Sequence, residues 1–424
     1  MTTVASGLHN SLKNYFQAMG IVAYAASQLL ILLALLKSGG FRAAGDFALS
    51  QAIIAPVFGL AAFSLRPYWV SGIIRNFDMY QFLQLRIFSI FGGSGMVFVI
   101  KLLVFPSVDI SIFVMVFALK TFELISDAFY ATLDVSGRSA TAGKLLMAKA
   151  LAIGVFGGAC FLTGAPLTAL PYALYFAILS VAILELFVVE FSLPAFASSM
   201  SAKRVRLDSL VHVVSWASAS SVVASVTGFL PRYFLEEFLG REAVGYYSVV
   251  AAPAAVVLMA CTGLAQTELG RLSASHSRGD WPDFLGILSR RVFLLAGLVA
   301  AAACTFAGLT AVLDLLGQSL FRSRTGYEIS VLLLLFFPLY LAQFLSYAVM
   351  PLARIRETFA IALASLLLLI LISPMLIPWN ALYGAAAVSV VGGLVQTAGF
   401  LFLIYRYFPG IEKSPDDKHA VKNL

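Results

Sequence analysis

Apolar runs of roughly 20 residues, the length that crosses a bilayer as a helix, recur along the whole sequence. Hydrophobic residues make up 61% of the 424 residues and charged residues only 12%, a balance that no soluble globular domain has. Backbone polar groups inside a membrane must bond within their own segment, so these runs predict helices. We therefore predict an all-α polytopic membrane protein with twelve transmembrane helices. The predicted spans lie near residues 15–36, 47–69, 86–106, 110–133, 145–164, 170–194, 209–233, 244–266, 291–314, 329–350, 358–377 and 381–405.

The cysteines, histidines and overall charge argue against several other classes of protein. Cys160, Cys261 and Cys304 lie inside apolar runs and the four histidines are scattered, so neither a disulfide framework nor a metal site is indicated. The sequence holds no phosphate-cradling glycine loop and no nucleophile elbow, and we expect no cofactor and no catalytic activity. No basic patch outside the membrane accompanies the net charge of +7, so we expect no nucleic-acid partner.

The distribution of lysine and arginine predicts the orientation of the spans. With the N-terminus in the cytoplasm, twenty of the 28 basic residues fall in cytoplasmic segments, among them Arg66, Arg86 and Lys149, and six fall in outer loops. This excess follows the positive-inside rule and predicts that both termini are cytoplasmic. The first apolar run, Tyr15–Leu36, is too long for the core of a cleaved signal peptide, so it is predicted to be a retained helix.

The sequence also repeats itself. Arg42–Phe47, before the second span, resembles Arg241–Tyr247, before the eighth, with Gly45 aligned to Gly245 at a separation of 200 residues. Two further matches follow in the same order: Asp78 with Asp280, 202 residues apart, and Arg138 with Arg356, 218 residues apart. These matches predict two homologous halves of six spans each.

An even number of spans returns the chain to the same side of the membrane. The halves are therefore predicted to be parallel repeats, related by an axis along the membrane normal. We assign residues 1–200 to an N-terminal six-helix lobe and residues 201–424 to a C-terminal lobe with a short cytoplasmic tail. The polar, basic segment Ser198–Ser209 is predicted to link them in the cytoplasm.

The fourth span carries charge at membrane depth. Lys120, Glu123, Asp127 and Asp134 are separated by three, four and seven residues, which places all four on one helix face. A charge near the bilayer centre is costly, so this face must contact protein or water. One interpretation is that Lys120 and Glu123 neutralise each other and lock the helix to its neighbours. The other is that the face is the wall of a polar cavity, because Asp127 is left over after that pairing.

The tenth span offers a matching pattern. Tyr340, Gln343, Tyr347 and Arg354 have the spacing of the four charged residues in the fourth span. This predicts that the two spans line one central cavity, the first with charges and the second with polar and aromatic groups. The alternative is coincidence in a tyrosine-rich protein.

Three sequence features point to a known family: Lys13-Asn14-Tyr15 at the first span, the outer turn Phe238–Ser248, and Ser136-Gly137-Arg138 after the fourth span. With twelve spans in two parallel halves, the chain resembles the multidrug/oligosaccharidyl-lipid/polysaccharide exporter superfamily. Within it, the chain resembles the Wzx-type flippases of O-antigen and exopolysaccharide repeat units. The resemblance implies a MATE-like, V-shaped pair of lobes in the bacterial inner membrane.

The resemblance further implies a function. Such a transporter moves an undecaprenyl-pyrophosphate-linked oligosaccharide from the cytoplasmic to the periplasmic leaflet by alternating access, coupled to H⁺ or Na⁺. Its other partners would be membrane lipids, a polysaccharide polymerase and a chain-length regulator.

Rival functions remain at this point. A drug/cation antiporter of the same superfamily often uses an acidic residue in the first helix, but Met1–Lys37 contains none. Lipid II flippases of the superfamily carry two further helices, and only a short charged tail follows Tyr407. A membrane-embedded polysaccharide polymerase or ligase is expected to have a large outer loop. The longest outer loop predicted here is Asp314–Glu328.

Candidate substrate-binding residues follow from the need to replace water around a pyrophosphate. Lys120 ranks first, because a mid-membrane lysine cannot easily snorkel. For Lys101, Lys149 and Arg66 the alternative is snorkelling to an interface, and for Arg232 it is a salt bridge with Glu236 or Glu237. The polar and aromatic candidates are Tyr340, Gln343 and Tyr347.

Glu123 and Asp127 are the candidates for ion coupling. Glu123 can pair with Lys120 one turn away and is expected to stay ionised. Asp127 has no cation nearby on its own helix, so we expect it to be the better proton carrier; a cation from another helix would undercut this argument.

Overall fold

The computed structural model describes residues 2–62, 65–70, 79–192, 207–315, 323–352 and 354–408. These residues are almost entirely helical, and no strand occurs among them. The helices of the first half are α1 (Thr2–Ala62), α2 (Leu65–Val70), α3 (Met79–Leu103), α4 (Ile110–Val135), α5 (Ser139–Thr163) and α6 (Ala169–Ser192). Those of the second half are α7 (Leu207–Leu239), α8 (Arg241–Ser277), α9 (Trp281–Leu315), α10 (Ser323–Leu335), α11 (Phe337–Ala348), α12 (Ile355–Trp379) and α13 (Ala381–Arg406).

Each of the twelve predicted spans coincides with helix. The first lies within α1, the second covers the end of α1 and most of α2, and the tenth is the pair α10–α11, which bends by 40°. The remaining nine follow single helices. Among the described residues, eight helices are long and apolar enough to cross a membrane, and the bent pair makes a ninth. The chain is therefore an all-helical, multi-pass membrane protein.

Two glycines mark the same break in each half. Gly40 interrupts α1 with φ 69° and ψ −167°, and Gly240 separates α7 from α8 with φ 79° and ψ −179°. A positive φ is readily adopted only by glycine, so both positions require it. Gly40 and Gly240 are 200 residues apart, the separation of the aligned Gly45 and Gly245. The conformation at these turns agrees with a duplicated chain; the lobe boundaries remain a prediction.

The halves contact each other at the predicted outer end of the spans. Arg241 at the start of α8 forms ion pairs with Asp46 on α1 and with Glu236 on α7, the latter at 2.8 Å. The same guanidinium donates to the backbone carbonyl of Ser107 at 2.7 Å and to its hydroxyl at 2.8 Å. One arginine thus ties together three helices and the loop before α4.

Two predicted loops differ from the structure or lie outside it. The outer loop predicted at Asp314–Glu328 is shorter, because α9 continues to Leu315 and α10 begins at Ser323. The residues between those helices lie outside the described part of the chain, as do most of the linker Ser198–Ser209 and the tail beyond residue 408.

Candidate functional site

The charged face of α4 begins with the ion pair that its spacing predicts. Asp109 caps the helix, accepting hydrogen bonds from the backbone amides of Ser111 and Ile112. Further along the helix, the Lys120 ammonium lies 2.8 Å from a Glu123 carboxylate oxygen. Both side chains are partly exposed, Lys120 at 20%, so this pair borders accessible space.

Asp127 has no ion-pair partner on its own helix, as expected, but cations from two other helices pair with it, which undercuts the argument that it is the better proton carrier. Arg66 on α2 lies 3.1 Å from one of its carboxylate oxygens, and Arg86 on α3 lies 2.7 Å from the other. Arg66 also bridges to Asp134 at 2.9 Å, about two helix turns further along the same face. Two neighbouring helices supply these cations, and spacing within α4 alone does not reveal them.

Arg86 is a functional candidate that the sequence reasoning missed. We counted it among the cytoplasmic cations, but its side chain is only 1% exposed and also donates to the backbone carbonyl of Ala61 at 3.1 Å. It therefore belongs to the protein interior and carries no information about orientation. The predicted third span begins at residue 86, whereas α3 begins at Met79. The prediction therefore placed Arg86 at the cytoplasmic membrane surface.

The first span contributes neutral donors to the α4 carboxylates. The Tyr24 hydroxyl donates to Glu123, and the Gln28 amide donates to the same oxygen at 3.2 Å. The Gln17 amide donates to Asp134 at 3.2 Å. These contacts show where the first span, which lacks acidic residues, meets the charged face.

Lys149 and Glu185 extend the polar region towards α5 and α6. The Lys149 ammonium donates to the Ser126 hydroxyl at 3.0 Å and lies 4.0 Å from the centre of the Phe122 ring. Ser126 in turn donates to Glu185 at 2.7 Å, and the Tyr130 hydroxyl donates to the other Glu185 oxygen. Lys149 is buried, so the snorkelling alternative is wrong for it. Glu185 was missed, although an acidic residue inside the apolar sixth span was the available signal.

Together these side chains form what we call the first-half ionic cluster. Its members are Arg66, Arg86, Lys120, Lys149, Glu123, Asp127, Asp134 and Glu185. Four potential cations face four potential anions, so the cluster is formally neutral when all are ionised. Such balance is what permits charge at membrane depth, where an unpaired charge is costly. Arg66 and Lys120 are its partly exposed cations and can exchange a carboxylate for another anion.

Lys101 lies apart from this cluster. Its ammonium donates to the backbone carbonyl of Pro106 at 3.2 Å, just beyond the end of α3. The structure therefore gives Lys101 a contact with the loop that follows α3 and does not bring it together with Lys120.

Arg232 makes no ion pair within the described part of the chain. Its Nε donates to the Ser248 hydroxyl at 3.2 Å, and its guanidinium lies 4.9 Å from the Phe229 ring centre. The predicted alternative of a bridge to Glu236 is wrong, because Glu236 pairs with Arg241. Arg232 is thus a cation of the second half that no carboxylate neutralises in the described part of the chain.

The predicted continuous face of the tenth span is wrong. Tyr340 is 0% exposed, so it packs in the core and does not line a cavity. The helix ends at Ala348, and Arg354 lies beyond the break, over the Tyr407 ring at 4.3 Å. Gln343 and Tyr347 bond to Thr262 and Gln266 of α8 at 3.2 and 3.3 Å. The break after α11 takes Arg354 out of the helical spacing that Tyr340, Gln343 and Tyr347 keep.

Tyr347 nevertheless faces the first half. Its hydroxyl interacts electrostatically with Arg66 and Asp127. An interaction of this kind acts over a distance and is not a contact, so the shared cavity of the fourth and tenth spans stays a prediction.

Comparison with known proteins relates the chain to others by fold. No protein-family model and no curated protein matches the sequence. An outward-facing multidrug resistance MATE transporter of the MOP superfamily is similar with a TM-score of 0.64 and 12% identity, over 93% of this chain and 94% of its own. A point mutant of the Vibrio cholerae MATE transporter VcmN is similar with a TM-score of 0.60 and 12% identity, over 96% of this chain and 98% of its own.

A MOP superfamily transporter from Pyrococcus furiosus gives a TM-score of 0.64 and 10% identity, over 95% of this chain and 96% of its own. It is described as having a binding pocket of reverse polarity that suggests a different function. Identities this low extend the likeness to the fold alone. The chain accordingly has the fold of the MATE transporters of the MOP superfamily.

Proposed function

We propose that this protein transports an undecaprenyl-pyrophosphate-linked oligosaccharide from the cytoplasmic to the periplasmic leaflet of a bacterial inner membrane. The MATE fold supports membrane transport by alternating access. One observation carries the choice of cargo: Arg66 and Lys120, within predicted spans, are partly exposed beside a polar face. They offer cations inside the membrane to an anionic group on a lipid.

The pyrophosphate is the demanding part of such a cargo. Moving it through a membrane removes water from its negative charges, a penalty that charge-assisted hydrogen bonds offset. Arg66 suits this task because its planar fork binds phosphate oxygens in pairs. It already holds two carboxylates, Asp127 and Asp134, through the same guanidinium. Phosphate oxygens would take the place of one carboxylate.

This exchange of partners gives a route to ion coupling. When the phosphate takes Lys120, Glu123 loses its cation. When it takes Arg66, Asp134 loses its cation and Asp127 keeps only Arg86. A carboxylate at membrane depth that has lost its cation favours uptake of H⁺ or Na⁺. Release of the cargo would restore the ion pair and expel the ion. Coupling thus follows from competition for the same two cations.

Arg232 supplies a second anion-binding position, in the other half. Its guanidinium contacts the Ser248 hydroxyl and the Phe229 ring, and no carboxylate pairs with it in the described structure. In an alternating-access cycle, a cation in each half allows the pyrophosphate to keep one partner while the halves move.

A drug/cation antiporter is the second candidate function. It is favoured by the partly exposed Glu123 and Asp127, which could bind a cationic drug. It is disfavoured by the first span, which presents Gln17, Tyr24 and Gln28 to the α4 carboxylates and contributes no acid.

Reconstitution separates the two functions. Proteoliposomes containing the purified protein would be loaded with an undecaprenyl-pyrophosphate oligosaccharide, and flipping would be followed by glycan accessibility to an added lectin. We expect faster exposure of the glycan than in protein-free vesicles. Parallel vesicles would be tested for uptake of a fluorescent organic cation. Cation uptake without glycan exposure would overturn the proposal.

A further inference from the structure

A cavity of about 370 Å³ lies between the two halves, bordered by α1, α3 and α7. It lies outside the first-half ionic cluster. Its size falls at the lower end of the roughly 300–1,000 Å³ typical of small-molecule pockets. The lining residues on which the argument depends are Val57, Leu60, Met96, Ile100, Val226 and Tyr233.

The lining of the cavity has almost no group that could hydrogen-bond to a water molecule. All of its lining side chains are apolar except that of Tyr233, whose hydroxyl donates to the backbone carbonyl of Ala52. A water molecule needs several polar partners to occupy a buried site, and apolar cavities without them stay dry. The apolar lining therefore favours a hydrocarbon chain over water as the occupant of the cavity.

The cavity is open to the side of the bundle. Leu60 and Met96, from α1 and α3, are exposed at its rim, Met96 at 50%. Both belong to helices apolar enough to span a membrane, where the surroundings are lipid chains. A chain can therefore enter from the bilayer without crossing a polar surface.

A cation lies within electrostatic reach of one lining residue. Arg232 is not part of the lining, but its guanidinium interacts electrostatically with Tyr233, and no carboxylate pairs with it in the described structure. A guanidinium next to an apolar cavity complements a lipid with an anionic phosphate at one end and a long hydrocarbon chain at the other.

We propose that this cavity holds a segment of the isoprenoid chain of the lipid-linked substrate, with its pyrophosphate directed towards Arg232. The inference rests on the proposed function and adds a second element of recognition to it. The first-half ionic cluster and Arg232 would bind the pyrophosphate, and the cavity bordered by α1, α3 and α7 would bind the isoprenoid chain. Polyprenyl lipids are thereby distinguished from water-soluble pyrophosphates.

The test uses the full chain in nanodiscs of phosphatidylglycerol and phosphatidylethanolamine, with undecaprenyl pyrophosphate lacking a glycan as the probe. Ile100→Trp would fill the cavity from α3. The matched control is Leu102→Trp, two positions along the same helix and 62% exposed outside the cavity. We expect Ile100→Trp to weaken binding about tenfold, as the loss of roughly two buried methylene groups would, and Leu102→Trp to leave it unchanged.

The outcomes separate this inference from the proposed function. If the wild type binds the probe and Ile100→Trp binds it equally well, the chain site is wrong and the proposed function stands. If the wild type does not bind the probe, both are wrong. Should Ile100→Trp not accumulate in the membrane, a photo-crosslinking residue at Met96 replaces it. Adducts with undecaprenyl pyrophosphate support the site, whereas phospholipid adducts that the probe does not displace overturn it.

Discussion

Gly45 and Gly245 lie against each other where α1 of the first half crosses α8 of the second. A Cβ atom on Gly245 would lie 1.8 Å from the Phe41 carbonyl oxygen, and one on Gly45 would lie 2.2 Å from that of Arg241. The contact is reciprocal: each glycine meets the carbonyl four residues before the other. Equal contacts from both partners are what a two-fold relation between the halves produces.

Gly245→Ala should therefore separate the two helices. The atom nearest the added methyl group is the Phe41 carbonyl oxygen, and a backbone atom cannot move to another rotamer as a side chain can. Overpacking of this kind costs about 1–3 kcal/mol of stability. We expect a lower melting temperature in detergent. Gly270→Ala, on the same helix with no atom near its added Cβ, is the control and should be neutral or stabilising. Equal melting temperatures for both variants would contradict the close crossing.

Arg241→Ala should loosen the outer contact between the halves. It removes the partner of Asp46 and Glu236 and both bonds to Ser107. Ala52, a buried residue further along α1 from Asp46, would be replaced by Cys as a reporter. We expect the Cys to react with a hydrophilic thiol reagent only when Arg241→Ala is also present.

The control for this experiment is Arg271→Ala, an exposed arginine on the same helix whose ion pair with Glu268 is longer, at 3.5 Å. It should leave the Cys at position 52 protected. Equal labelling in the Arg241 and Arg271 variants would show that Arg241 does not hold the outer end closed.

Lys120→Ala should abolish flipping while leaving insertion intact. The variant removes a partly exposed cation and leaves Glu123 with the neutral donors Tyr24 and Gln28. Lys120→Arg should retain partial activity, since either cation binds phosphate better than none. The measurement is lectin accessibility of the glycan in proteoliposomes. Lys144→Ala, an exposed lysine on α5, is the control and should flip at the wild-type rate.

Asp127→Asn should destabilise the protein as well as change its coupling. It leaves the buried guanidinium of Arg86 without a carboxylate. Breaking a buried ion pair in this way costs about 3 kcal/mol, a figure at the lower end because Asp127 is itself partly exposed. We expect a clear drop in melting temperature.

The double variant Asp127→Asn with Arg86→Met tests the cause. It removes the stranded charge, so it should recover much of the lost stability. A double variant no more stable than Asp127→Asn alone would show that the pair with Arg86 is not what Asp127 stabilises.

The sequence by itself determined the helices. Inside a membrane every backbone polar group must bond within its own segment, so hydropathy alone locates spans such as α12 and α13. Lys120 and Glu123 were also predictable, because residues three apart on one helix are neighbours whatever surrounds them. Gly45 and Gly245 were visible as a repeat, although not as a contact.

Only the tertiary structure decided which charges meet. Asp127 pairs with Arg66 and Arg86, and Lys149 reaches Glu185 through Ser126, because separate helices pack side by side. Periodicity defines the faces of one helix but not which faces of different helices are brought together. The same limit explains Tyr340: its spacing suggested a cavity wall, whereas packing of α11 against its neighbours placed it in the core.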